Sequence, residues 1–206
     1  MPHSLGSVTG AQIAATDGSL GSVSDFFFDD QTWTVRYLVV AIKKWFSRRD
    51  VLIATTAVCN PDWGKRRFSV HLTREQVRHS PDVDTEKPVT RQQEIAMTQY
   101  FGWPTYWSGF PTGEYAAEME YPTNGADDPH LRSVWDVAGY EVWAGDRDMG
   151  RVEDYLLDEA SWHIGSLIVA KAEWVTGESH LVSTRSVVSV DWANRRIDAV
   201  ATRAAG

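Results

Sequence analysis

The feature that most limits what this chain can become is a repeat. Gly21, Val23, Asp25, Asp29, Trp33, Leu38, Val40 and Ala41 recur as Gly150, Val152, Asp154, Asp158, Trp162, Leu167, Val169 and Ala170. The offset is a constant 129 residues, as from Trp33 to Trp162. It also pairs Ser4 with Ser133, Val8 with Val137, Gly10 with Gly139 and Asp17 with Asp146. Past the central stretch it continues without a gap, from Trp45 and Trp174 through Asp62-Trp63 and Asp191-Trp192 to Thr73-Arg74 and Thr202-Arg203. Roughly a third of about 70 aligned positions are identical, which is the mark of tandem units. Whatever one copy folds into, the other must fold into as well.

The texture of each copy is β. Short runs of Val, Ile, Phe and Tyr are broken by turn chemistry at Thr16-Asp17-Gly18, Asp29-Asp30-Gln31, Ser47 to Asp50 and Asn60 to Gly64, a spacing that suits a small closed or sandwich-like sheet. Strands are expected near 6–9, 20–28, 33–43, 51–54 and 67–71, with equivalents in the second copy. The expected class is mainly all-β: two tandem small β-barrels of about five to six strands each, joined by a linker with short helices. Residues 1–80 make the first barrel, 81–130 the linker and 131–206 the second barrel.

Alternate residues of a strand share a face. Val35, Tyr37 and Val39 therefore make one face of the strand after Trp33, and Leu38, Val40 and Ile42 make the other. In the second copy Ile164 and Ile168 stand against Leu167 and Val169. Both faces are apolar. One can fill the inside of a barrel, but the other needs a cover: the other copy, the linker or a second subunit.

After the first copy's strands, Thr73 with Gln76 and Thr90 with Gln93 have capping-box spacing and predict two short helices, the first ending at Ser80-Pro81 and the second running to Tyr100. An aromatic segment follows, Tyr100-Phe101-Gly102-Trp103-Pro104-Thr105-Tyr106-Trp107 and then Phe110. It occurs once in the chain. Trp103, Tyr106, Trp107 and Phe110 are the candidate interaction residues, either covering an apolar face of the same molecule or forming a docking patch. Residues Glu118 to Asp128 are acidic, with Pro and Gly.

The strand motif with its acidic turn and Trp33, leading into Val35-Arg36-Tyr37-Leu38-Val39-Val40, resembles the PRC-barrel family. That family includes the cytoplasmic domain of the photosynthetic reaction-centre H subunit and the barrel domain of a ribosome maturation factor. The likeness covers about residues 3–75 and 132–203, and the linker's aromatic segment is similar to one in bacterial proteins with two such domains. The resemblance implies a small barrel per copy and a role in assembly or docking, without a family-wide catalytic centre. It also raises an accessory subunit of a membrane electron-transport complex.

Composition narrows the function classes. The 206 residues are 43% hydrophobic and 23% charged, ordinary for a globular protein. The start of the chain lacks the pattern of a signal peptide, and its apolar runs are too short for a transmembrane helix, so the expected location is cytoplasmic. Net charge is −8, divided as +3 over residues 1–80, −7 over 81–130 and −4 over 131–206. An acidic chain makes nucleic acid an unlikely general partner. Lys43, Lys44, Arg48 and Arg49 cluster in the first copy, however, where the second copy has Ala172, Glu173, Gly177 and Glu178. Those four are the candidate anion or RNA contacts.

A catalytic set is missing from the sequence motifs, and no cofactor is implied. The single cysteine, Cys59, reads as a small core residue, and the histidines are scattered without metal-ligand spacing. Asp25, Asp29, Asp154 and Asp158 are weak metal candidates. On one continuous strand Asp25 and Asp29 would stand about 13 Å apart, too far to share a cation, and Asp29 better suits a turn whose amides it accepts. The expected function is a non-enzymatic protein–protein interaction module, acting as a homodimer.

Overall fold

The computed structural model describes residues 1–43, 48–81, 89–106, 129–171 and 179–200. Most of these are in strands. The first copy comprises β1 (Pro2–Ser4), α1 (Leu5–Val8), β2 (Gln12–Ala15), β3 (Gly18–Asp29), β4 (Thr34–Lys43), β5 (Arg48–Ala54), β6 (Val58–Asp62) and β7 (Arg67–Val70). The first copy ends in α2 (Arg74–Arg78), and the linker supplies β8 (Val89–Thr90) and α3 (Arg91–Phe101). The second copy has β9 (Pro129–Ser133), α4 (Val134–Val137), β10 (Glu141–Ala144), β11 (Arg147–Asp158), β12 (Ile164–Ala170), β13 (Ser179–Ser183), β14 (Val187–Asp191) and β15 (Arg196–Ala199).

The duplication in sequence is a duplication in topology. The first sheet runs β5-β4-β3-β2-β7-β6 and the second β13-β12-β11-β10-β15-β14, the same order of matched strands. Pairing is antiparallel except between β2 and β7 and between β10 and β15. Among the described strands each path stays open, since no pairing joins β5 to β6 or β13 to β14. At that point the chain passes through a single tight turn, Thr55–Ala57 or Thr184–Ser186.

The long β3–β4 hairpin carries the first core. Val23 faces Val40 and Phe26 faces Leu38, and all four are fully buried. Gly21 and Gly150 recur for a steric reason: a side chain at either would collide with the carbonyl oxygen of Ala41 or Ala170 on the neighbouring strand. The hairpin turn is held as its sequence implies. Asp29 Oδ1 accepts from the amides of Gln31 and Thr32, and Asp158 Oδ1 from those of Ala160 and Ser161.

One expectation needs correction. Residues 6–9 are not a strand; Leu5–Val8 is a helical turn capped by Ser4, whose Oγ accepts from Ser7 N, and Leu5 and Val8, three apart, bury the same side. The strands also cross the boundary between copies. β1, which leads into the first copy, pairs with β11 of the second, and β9, which leads into the second, pairs with β3 of the first. Ser4 lies opposite Leu156 and Ser133 opposite Phe27, so the two contacts are the same contact made reciprocally.

Further bonds obey the same reciprocity. Val35 N donates to Trp162 O at 2.8 Å and Ile164 N to Trp33 O at 2.7 Å. His3 stacks on Trp63 with ring centroids 4.9 Å apart and bonds Glu159. In the matched place the Arg132 guanidinium lies 4.3 Å over Trp192, and its Nε donates to Asp30 at 3.0 Å. The two copies therefore form one packed unit.

Candidate interaction site

The apolar face that needed a cover has one. Phe27, Tyr37, Val39 and Leu52 form the outer side of the first sheet, and each is at most 3% exposed. The linker lies against it. Trp103, itself buried, packs on Tyr37 with centroids 6.2 Å apart, and Phe101 stacks on Trp103 at 4.3 Å. The capping box of α2 forms as the Thr73 and Gln76 spacing predicts, both of its bonds being present. Tyr100 Oη donates to Gln76 O at 2.9 Å and ties α3 to α2.

Beneath this cover is a polar cluster. Glu94 of α3 and His130 of β9 are buried, with Oε2 and Nε2 2.6 Å apart. Tyr106 Oη donates to Glu94 Oε1 at 2.8 Å, and the Arg36 guanidinium lies 3.9 Å over the Tyr106 ring. Burial, then the nearby Glu94, pushes the Tyr37 hydroxyl well above its ordinary range. Nothing in the scattered spacing of the histidines singles out His130, yet it is buried. Its signal is Glu94, a carboxylate on the same helical face as Met97, Thr98 and Phe101. A buried charge on that face requires a partner.

Of the candidate interaction residues, Trp103 and Tyr106 are therefore inside the linker's own packing, while Trp107 and Phe110 lie outside the described residues. The basic candidates divide similarly. Lys44 and the side chains of Lys43 and Arg48 lie outside what is described. Arg49 donates to the carbonyls of Arg78, Ser80 and Pro81 at 2.7, 2.6 and 3.2 Å. It straps β5 to the segment that follows α2.

The four aspartates are not brought together. Asp29 and Asp158 serve their turns. Asp25 accepts from Ser133 Oγ at 2.5 Å, and Asp154 accepts from Ser4 Oγ and from Gly6 N. Among the described residues no three His, Cys, Asp or Glu side chains are grouped as metal ligands. The recurrence of Ser4 with Ser133 alongside Asp25 with Asp154 was the signal for these paired bonds. Each serine bonds the aspartate of the other copy.

The matched outer face of the second sheet is different. Ser166 stands in the place of Tyr37, Leu156 and Ile168 are half-buried, and Leu181 is 63% exposed where its counterpart Leu52 is 1% exposed. Leu181 faces Ile168 across the β12–β13 pair, and β13 ends the sheet. No helix among the described residues is long and apolar enough to cross a membrane. No protein-family model matches the chain, and no curated protein matches it.

Proposed function

We propose that the protein is a non-enzymatic interaction module of two PRC-like barrels, and that it assembles through the outer face of its second copy with a second copy of the same chain. The observation that carries this reading is the contrast between matched faces. Leu52 lies under the linker, and Leu181, its equivalent, is open on a strand that ends its sheet. Among the described strands β13 pairs only with β12; such an edge favours pairing with another strand, and Leu181 with Ile168 adds the apolar contact. The identical strand order of the two sheets supports one shared topology for the two copies, and the barrel itself rests on the family resemblance. An RNA-associated role is less well supported, because Arg49 is engaged by backbone carbonyls. An accessory role in an electron-transport complex rests on the family resemblance alone.

Light scattering of the purified chain tests the assembly. The wild type is expected to be dimeric at high micromolar concentration, and Leu181→Glu, which places a charge at the centre of the contact, monomeric. A wild type that stays monomeric, or a Leu181→Glu variant that remains fully dimeric, would count against the reading.

A further inference from the structure

The two copies treat one matched stretch of sheet in opposite ways. In the second copy its charges are paired with one another. Glu141 of β10 accepts from Arg151 at 2.6 Å, Arg196 of β15 pairs with Asp198 at 2.7 Å, and the Arg196 guanidinium lies 4.7 Å over the Trp143 ring. In the first copy Gln12, Ser22, Ser69 and Ala14 stand where the second has Glu141, Arg151, Asp198 and Trp143. Where the second copy has an indole ring, the first has the methyl of Ala14, beside an open groove of about 270 Å³. Gln12 and Ala14 of β2 and Ser19 of β3 line the groove, together with Lys65 and Arg66 of the turn before β7 and Arg67 at its start. All three cations are exposed. Lys65 is paired with Asp62 at 3.1 Å, and Arg66 donates to Thr9 O. Arg67, whose counterpart Arg196 has a carboxylate and a ring, makes no side-chain hydrogen bond or ion pair among the described residues.

We propose that this groove of the first copy binds a compact phosphate-bearing anion, with Arg67 as the principal ligand and Arg66 and Lys65 beside it. Two neighbouring guanidiniums suit a doubly charged tetrahedral oxyanion better than a single carboxylate, because each planar fork takes two oxygens. Arg66 is already held by the Thr9 carbonyl, so ordering it on binding costs little. The Gln12 amide and the Ser19 hydroxyl are further donors. The groove falls below the roughly 300–1,000 Å³ of sites for drug-sized ligands, which favours a small anion. Nucleic acid needs an extended basic face. Asp62 interrupts this one, and Glu141 and Asp148 stand at the matched positions of the second copy.

Titration calorimetry of the full chain with pyrophosphate at low ionic strength tests this. One saturable site is expected. Arg67→Ala is expected to weaken it about tenfold or more. Ser69→Asp, which gives Arg67 the carboxylate that Arg196 has, is expected to weaken it as well, and Arg196→Ala to leave it unchanged. ATP at the same ionic strength separates the sources: equal affinity marks a site that reads phosphate alone, and tighter binding one that takes the phosphates of a nucleotide. The proposal is overturned if pyrophosphate shows no saturable binding at millimolar concentration, if Arg67→Ala or Ser69→Asp binds it as tightly as the wild type, or if Arg196→Ala weakens it equally. A single-stranded RNA oligomer that binds through Arg67 while pyrophosphate neither binds nor competes overturns it too.

Discussion

Identical residues at matched positions do different amounts of structural work because their surroundings differ. Asp29 and Asp158 make the same turn bonds, yet Asp29 is buried with the Arg36 guanidinium 3.7 Å away, and Asp158 is exposed. Asp29→Ala leaves two turn amides without their acceptor and the half-buried Arg36 without its nearby counter-charge, which is expected to cost about 1–3 kcal/mol. For Asp158→Ala, water replaces the lost acceptor, and the cost is expected to stay under about 1 kcal/mol. Urea unfolding of the two full-length variants checks the ordering. At this scale the turn aspartates were legible in the sequence, because an Asp before a polar tetrad has a local partner in its own backbone. Asp25 was not, since its partner Ser133 lies 108 residues away.

Among the elements, the hairpin, the helices α2 and α3 and the two apolar faces of β4 follow from short-range patterns of alternation and spacing. The exchange of β1 and β9 does not. Pro2–Ser4 has three residues and no alternation, so nothing local says which sheet it joins, and only the joint recurrence of Ser4 and Asp25 pointed to the bond. The linker's role as a cover was open in the sequence, because an aromatic run satisfies an intramolecular face and a docking face equally well. Its packing on Tyr37 decides for Trp103. Trp103→Ala removes a buried aromatic that contacts both Tyr37 and Phe101, with an expected loss of about 3–5 kcal/mol. The denaturant midpoint of the full chain measures it, and a loss under about 1 kcal/mol would mean that the linker does not hold the first sheet's outer face.

For the molecule as a whole, duplication followed by unequal covering is the governing fact. Reciprocal strands, the Trp33 and Trp162 backbone bonds and the His3 and Arg132 stacks join the copies. The linker then covers one outer face, leaving Leu181 of the other exposed. Sequence could state that four apolar faces exist, but not which would be buried, because burial depends on how the copies and linker meet in space. The replacement of Tyr37 by Ser166 was the one visible hint that the second face is not covered as the first is. The central proposal is that a second copy of the chain covers this face. Hydrogen exchange of the wild type from low to high micromolar concentration tests it most directly: amides of β13 should gain protection with concentration while those of β5 stay constant, and β13 protection that does not change with concentration would contradict the account.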